Sequence, residues 1–406
     1  MFKRILVIVL DGVGIGALPD AGAFGDADAA TLPHVAEAVG GLNLPHLEQL
    51  GLGRIVQIKG VRPLARPAAC WGKMAEKSAG KDSVTGHWEL AGVVLEHGFA
   101  TYPEGFPEDI IQAFTAVAGT APLGNVAASG TQIIRDLGEE HLRSGRPIVY
   151  TSTDSVFQIA AHERIMKAED LYHLCRKTFE ALKPYNICRV IARPFAGADA
   201  GTFYRTSGRH DYSQQPPQPT LLERLQQAGI TTCGIGKIGD LFAGKGLTRS
   251  LSTADNGAGM EQTLKVLEEM ATGLIMTNLV DFDMVYGHRC DPSGFAAALQ
   301  DFDAWLPLLL HRLQPDDLLM ITADHGCDPT TDGTDHTREY VPLLVFSPGM
   351  KGSVDLGRRS SFSDLAATIA ENFDMLHVAG KSFLPQLRAL CNAAAGPVDQ
   401  QTKGQG

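Results

Sequence analysis

The chain has 406 residues, 44% of them hydrophobic and 20% charged, with a formal net charge of −11. That composition is ordinary for a folded protein of roughly two or three domains, and the negative charge argues against nucleic acid or an anionic membrane as the main partner. Seven cysteines (Cys70, Cys175, Cys188, Cys233, Cys290, Cys327 and Cys391) are scattered without a C-x-x-C pair. They speak against a disulfide framework or zinc ribbon and for a reducing compartment.

Residues 5–10 form an apolar run that Asp11 interrupts, too short for a signal segment. No later run reaches the ~18 residues of a membrane span, so a cytoplasmic protein is expected. Runs at 5–10, 274–280, 318–322 and 341–346 read as buried parallel strands. Helical patterns cover 221–227, 260–270, 295–313 and 362–373, the last with Ser361 or Ser363 as its cap. Strands alternating with helices predict an α/β fold, a parallel sheet with helices on both faces. Pro-rich breaks at 103–107 and 214–219 bracket further strand and helix signals at 147–151, 171–182 and 189–192. The expected division is therefore a core at 1–98 and 216–393, an inserted smaller α/β cap at 99–215, and a disordered tail at 394–406.

Ligands in parallel α/β folds collect at the carboxyl ends of strands. Asp11, Asp283 and Asp324 all occupy such ends, with His288, His325 and His336 in the adjoining segments. Carboxylates with imidazoles suit Mn²⁺, Mg²⁺ or Zn²⁺, and three carboxylates favour manganese. Asp324 and His325 share a site only if the strand has turned, a turn assigned to Gly326. Cys290 and Cys327 lie close to the proposed ligands and are candidate ligands themselves, although neither has the paired spacing that zinc sites favour.

The segment Gly80-Lys81-Asp82-Ser83-Val84-Thr85-Gly86-His87 reads as a glycine-rich loop opening a helix. Its backbone N–H groups suit a phosphate, Lys81 adds charge, and Thr85 or Ser83 supplies a nucleophilic hydroxyl. The plainer alternative makes Ser83 or Thr85 a helix cap. Residues 12–17 satisfy G-x-G-x-x-A, but Asp11 would set a carboxylate beside a dinucleotide pyrophosphate and Pro19 compromises the required helix.

Three longer motifs carry a resemblance: residues 80–89, Asn278-Leu279-Val280-Asp281-Phe282-Asp283, and Gly333-Thr334-Asp335-His336-Thr337-Arg338-Glu339. With them the chain resembles the prokaryotic, metal-dependent phosphopentomutases of the alkaline phosphatase superfamily over nearly its whole length. The resemblance implies an alkaline-phosphatase-like core and an isomerase that interconverts ribose 1-phosphate and ribose 5-phosphate, or the 2-deoxyribose esters, in nucleoside salvage. It implies Thr85 as the phosphorylated residue, one metal on Asp11, Asp324, His325 and Thr85, and the other on Asp283, His288 and His336. A sugar bisphosphate would serve as activator. Ser152, Asp154, Arg193, Arg205, Arg209 and Lys237 are the expected substrate contacts, and Lys81, Ser83 and His87 belong to the phosphate loop. A monomer is expected. Gly12 and Cys327 depart from the family's frequent Ser and Asn. A cofactor-independent phosphoglycerate mutase would share the metals with a serine nucleophile. A phosphatase would share them without needing a cap that excludes water.

Overall fold

The structure is a computed structural model that describes residues 1–152, 155–375 and 378–392. Asp154 and the tail 394–406 lie outside the described residues. The chain divides into two compact units, Met1–His97 with Pro216–Gly406, and Gly98–Gln215.

In the first unit, eight strands form one sheet in the order Arg249–Leu251, Thr232–Ile235, Gly273–Leu279, Arg4–Leu10, Asp317–Thr322, Val341–Phe346, Cys70–Met74, Asp355–Arg359. Every residue of Gly273–Leu279, Arg4–Leu10 and Asp317–Thr322 is buried, as in a parallel sheet covered on both faces. The parallel register pairs Leu10 with Leu279 and Val9 with Thr322, so the carboxyl ends of these three neighbours are level.

One expected direction is wrong. Val341–Phe346 runs antiparallel to both Asp317–Thr322 and Cys70–Met74. A parallel neighbour needs a crossover, usually a helix, and residues 323–340 contain none. The chain therefore turns straight back.

Two helices begin about a turn earlier than their apolar patterns, because an aspartate caps each. Asp255 accepts the Ala258 N–H before Asn256–Glu269, and Asp291 accepts that of Gly294 before Pro292–Arg312. Leu221–Gln227 opens with a capping box between Thr220 and Glu223. Ser363–Asn372 has Phe362 at its cap position rather than either serine, although the Ser361 hydroxyl accepts the Ser363 N–H at 3.1 Å.

The second unit has its own sheet, ordered Leu123–Ala127, Ile148–Thr151, Val156–His162, Arg189–Ala196, Tyr204–Arg205, with His210–Ser213 also paired to Arg189–Ala196. Phe114 of helix Glu108–Ala118 and Leu171 of Ala168–Leu182 share one apolar cluster with Phe157. Ile133 and Ile134 of helix Gly130–Ser144 share another with Phe195 and Phe203.

At the amino ends of the central strands, buried Arg4 holds Asp317 with two bonds, Nε to Oδ1 at 3.0 Å and Nη2 to Oδ2 at 2.5 Å. Replacing Arg4 with Met strands the Asp317 charge in the interior. The expected loss is about 3–5 kcal/mol of unfolding free energy, read from urea midpoints; a change under about 1 kcal/mol would contradict this account.

Candidate active site

Asp11 follows directly on Arg4–Leu10, and its N–H donates to the Leu279 carbonyl at 3.1 Å, so strand pairing itself fixes the residue. Asp283 sits in a turn of π-helix, Phe282–Tyr286, just beyond strand Gly273–Leu279. Such turns are rare and recur at functional sites. Asp324 and His325 lie in a bend just past Asp317–Thr322. The bend falls on Asp324 and His325 themselves, and Gly326 is already bridged to Thr337 without a positive φ. It is small for another reason: a Cβ there would lie 2.4 Å from a Glu339 carboxylate oxygen. No α-helix opens directly after residues 12–17; Ala17 bridges to Glu339, and only a four-residue 3-10 helix, Ala21–Phe24, follows.

The side chains meet in overlapping groups. Asp11, Asp324 and His325 form one, Asp283, His325 and His336 a second, and Asp283, His288 and Cys327 a third. His325 Nε2 stands 3.4 Å from both Asp11 Oδ1 and Asp324 Oδ2. Asp283 Oδ1 is approached by Nε2 of His288 at 3.3 Å and of His336 at 3.4 Å. The His288 Nδ1 lies 2.6 Å from the Thr334 carbonyl, and that of His325 3.0 Å from the Gly326 carbonyl. A carbonyl can only accept, so both rings carry a proton on Nδ1 and turn Nε2 toward the carboxylates. That is how metal-binding histidines are oriented.

Facing charges outweigh burial throughout. Burial raises the Asp11 carboxyl, yet Lys237 and His325 overcome both that and repulsion from Asp283, leaving it below the usual range. Burial also opposes the Asp283 charge, and His336 and His288 hold its carboxyl well below the usual range. Burial lowers His325, but Asp324, Asp11 and Asp283 raise it well above an ordinary imidazole. Even so, buried Asp283 Oδ1, Asp324 Oδ2 and Asn278 Oδ1 have no hydrogen-bond partner. His87 Nδ1 is 2.9 Å from Asp324 Oδ2, but it is closer to the Ser83 carbonyl, at 2.8 Å, which takes its hydrogen bond. Orphaned anionic oxygens beside imidazole nitrogens fit a divalent cation chemically.

The helix Ser83–Leu90 is capped by Asp82, not by Ser83 or Thr85. Asp82 Oδ1 accepts the N–H of Val84 at 3.0 Å and of Thr85 at 3.1 Å. A carboxylate thus fills the helix end that the sequence offered to a phosphate. Asp82 Oδ2 accepts the Thr85 hydroxyl at 2.5 Å, while Ser83 Oγ lies 3.0 Å from His325 Nε2 and 3.5 Å from Asp11 Oδ1. Gly86 lets the helix rest on the aspartate loop, since a Cβ would fall 2.1 Å from the Asp324 carbonyl oxygen. Lys81 is engaged by Asp26 at 3.1 Å and Asp335 at 3.3 Å.

Lys237, expected as a substrate contact, has its Nζ 3.5 Å from Asp11 Oδ2 and 3.9 Å from Asp283 Oδ2. In the second unit, Arg193, Arg205 and Arg209 all act on the buried Tyr150 hydroxyl, and burial followed by the Arg209 charge lowers Arg193. Arg209 is bound by Asp211 at 2.7 and 2.6 Å, and Arg193 Nε donates to Gln158 Oε1 at 3.0 Å. Ser152 follows strand Ile148–Thr151, half-buried. Sequence reasoning gave no role to Asn278 or Arg338. Asn278 Nδ2 donates to Asp11 Oδ2 at 3.0 Å. Arg338 Nη1 donates to the carbonyls of Ser78 at 2.7 Å and Gly80 at 2.5 Å, bracing the loop before the helix. Asn278 shares a strand-end motif with Asp283 and Arg338 a motif with His336, the only available signal.

Because His325 is raised, it carries a proton near neutrality that a cation on its Nε2 must displace. Metal loading should therefore release protons, and apparent affinity should climb with pH until His325 is neutral without metal. Calorimetry in two buffers of different ionisation enthalpy reads this directly. Identical heats in both would contradict it.

Residues 3–377 match the metalloenzyme superfamily. The phosphopentomutase of Syntrophotalea carbinolica is 58% identical over 386 residues, covering 95% of this chain and 98% of that protein. The phosphopentomutase of Caldanaerobacter subterraneus is 54% identical over 390 residues, with 95% and 98% covered. Among solved structures, the phosphoglycerate mutase of Leishmania mexicana aligns at 13% identity and a TM-score of 0.45, over 91% of this chain and 95% of that one. On the superfamily match and the full-length identity, this chain belongs to the phosphopentomutase family of metalloenzymes.

Proposed function

We propose that the chain is an isomerase that moves a phosphoryl group between O1 and O5 of ribose and 2-deoxyribose, with Thr85 as the phosphate carrier. One observation carries the reading: overlapping buried donor groups with orphaned carboxylate oxygens adjoin a hydroxyl-bearing helix start, in a chain 58% identical to a phosphopentomutase. Asp11, Asp324 and His325 would hold one divalent cation, and Asp283, His288 and His336 the other. Three carboxylates favour Mn²⁺. When bound, such cations neutralise charge on a transferring phosphoryl group and on the oxygens it passes between.

The chain's own groups do the rest. Phosphate on Thr85 passes to the free hydroxyl of a bound pentose monophosphate. The O–P bond to Thr85 breaks, one forms on the sugar, and the hydroxyl proton ends on the Thr85 oxygen. The resulting 1,5-bisphosphate turns and returns its other phosphoryl group by the reverse exchange. A trace of sugar bisphosphate primes Thr85. Asp82, 2.5 Å from Thr85 Oγ1, is placed to hold the moving proton. Lys237, beside Asp11 and Asp283, suits the transferring phosphoryl group rather than the remote phosphate. The remote phosphate falls to Arg193, Arg205 and Arg209, with Ser152 and Asp154 contributing to the sugar.

The test follows ribose 1-phosphate with Mn²⁺ and a trace of bisphosphate. Ribose 5-phosphate should form, and Thr85→Ala should lower kcat by roughly a thousandfold or more. Free phosphate as the product would make the enzyme a hydrolase, and an active Thr85→Ala would transfer the role to Ser83, whose hydroxyl already touches His325. Separately, Arg193→Ala should raise KM about tenfold or more by removing a charge-assisted phosphate contact. Metal content should stay unchanged, and unaltered kinetics would remove Arg193 from the site.

A further inference from the structure

Cys327 is the one side chain of the cluster with no part in the function above. It is a buried free thiol, two residues past His325. Two glycines make its room: a Cβ on Gly287 would come 2.5 Å from its Sγ, and one on Gly12 2.9 Å from its Cβ. The sulfur thereby reaches Asp283, to which the thiol is hydrogen-bonded, and stands 4.0 Å from His288 Nδ1. One carboxylate oxygen of Asp283, one ring nitrogen of His288 and this sulfur all lie within 4.8 Å of one another. Independently, Asp283 Oδ1 is buried without a hydrogen-bond partner, so one oxygen of the carboxylate in the middle of the group is left unpaired.

Asp283 consequently belongs to two donor sets. With His325 and His336 it offers oxygen and nitrogen only; with His288 and Cys327 it offers oxygen, nitrogen and sulfur. Hard cations such as Mn²⁺ gain little from sulfur, whereas Zn²⁺, Co²⁺ and Cd²⁺ bind thiolate strongly. With Zn–S and Zn–N bonds of about 2.3 and 2.1 Å, two donors on a tetrahedral ion stand about 3.6 Å apart, so donors within 4.8 Å of one another need to draw together by about 1 Å at most.

We propose that Cys327 is a further metal-ligating residue of the Asp283 position, giving it an oxygen–nitrogen–sulfur set that takes thiophilic divalent cations. The metal–sulfur bond replaces the S–H bond, and the proton leaves to solvent. The inference rests on Asp283 being a metal position, and the test separates the two ideas.

Metal-stripped protein is loaded with Co²⁺ and its near-ultraviolet spectrum recorded, for wild type, Cys327→Ser, Cys327→Ala and Cys290→Ser. A thiolate-to-cobalt charge-transfer band is expected in wild type and Cys290→Ser and should vanish in both Cys327 variants. Zn²⁺ affinity, from competition with a chelating dye, should fall about 10–100-fold in Cys327→Ser. Mn²⁺ affinity, from electron paramagnetic resonance, should stay within about twofold of wild type, as expected for a hard ion that gains little from sulfur. No band in wild type overturns the proposal without need of any variant, as does a band that survives loss of Cys327. If wild type binds Mn²⁺ but shows no cobalt–sulfur band, only the role of Cys327 fails. If it binds neither ion, the metal position falls and this inference with it.

Discussion

Three carboxylates, Asp11, Asp283 and Asp324, are buried together because three adjacent parallel strands end level with one another. Taking one such charge out of water costs several kcal/mol, and each also repels the other two. The parallel register leaves no freedom to spread them. Everything else near the strand ends answers this constraint. His325 shares its Nε2 between Asp11 and Asp324, Lys237 approaches Asp11 and Asp283, and Asn278 donates to Asp11. These groups lessen the repulsion but leave Asp283 Oδ1 and Asp324 Oδ2 without hydrogen bonds.

Other buried acids in the same unit show what full satisfaction looks like. Glu339 accepts from the N–H of Gly16 and Thr31 and from the hydroxyls of Thr31 and Thr337. Glu89 accepts from the N–H of Lys77, Ser78 and Phe362 and the hydroxyls of Ser78 and Ser361. Both staple loops together and have no use for a cation. Glu76 follows a third course: burial, then the Glu89 charge, raises its carboxyl well above the usual range despite Arg338. The contrast separates acids that hold the frame from acids that await a ligand, and burial alone does not distinguish them. Arg338 joins the two classes. Two residues from His336, it grips the Ser78 and Gly80 carbonyls and so ties the loop before helix Ser83–Leu90 to the histidine loop.

The sequence made the central strands and the Asp and His cluster legible because each apolar run stops at a polar residue, and that stop marks a strand end. Val341–Phe346 was read as a strand but in the wrong direction, since periodicity encodes burial and not orientation; only the helix-free stretch 323–340 carried that information. Asp82 as the helix cap could have been read locally, its carboxylate being two and three residues from the N–H groups it accepts. Lys237 and Arg338 could not. Lys237 meets Asp11 from 226 residues away, Arg338 meets Ser78 from 260, and no pattern along the sequence announces such pairs. Gly326 was given the right importance for the wrong reason, room for Glu339 rather than a turn.

Electrostatics also imposes an order of events on the proposed reaction. Without cations the strand ends hold three carboxylates against Lys237 and a protonated His325, a field that repels a phosphate dianion. Asp82 at the helix terminus adds a fourth negative charge where a phosphate would otherwise find N–H donors. Phosphate therefore has no favourable place at this end of the sheet until cations reverse the local sign, so metal must precede substrate. The arginines of the second unit have the opposite problem, three like charges acting on one buried tyrosine with Asp211 as counterion to Arg209. That cluster attracts an anion whether or not metal is present.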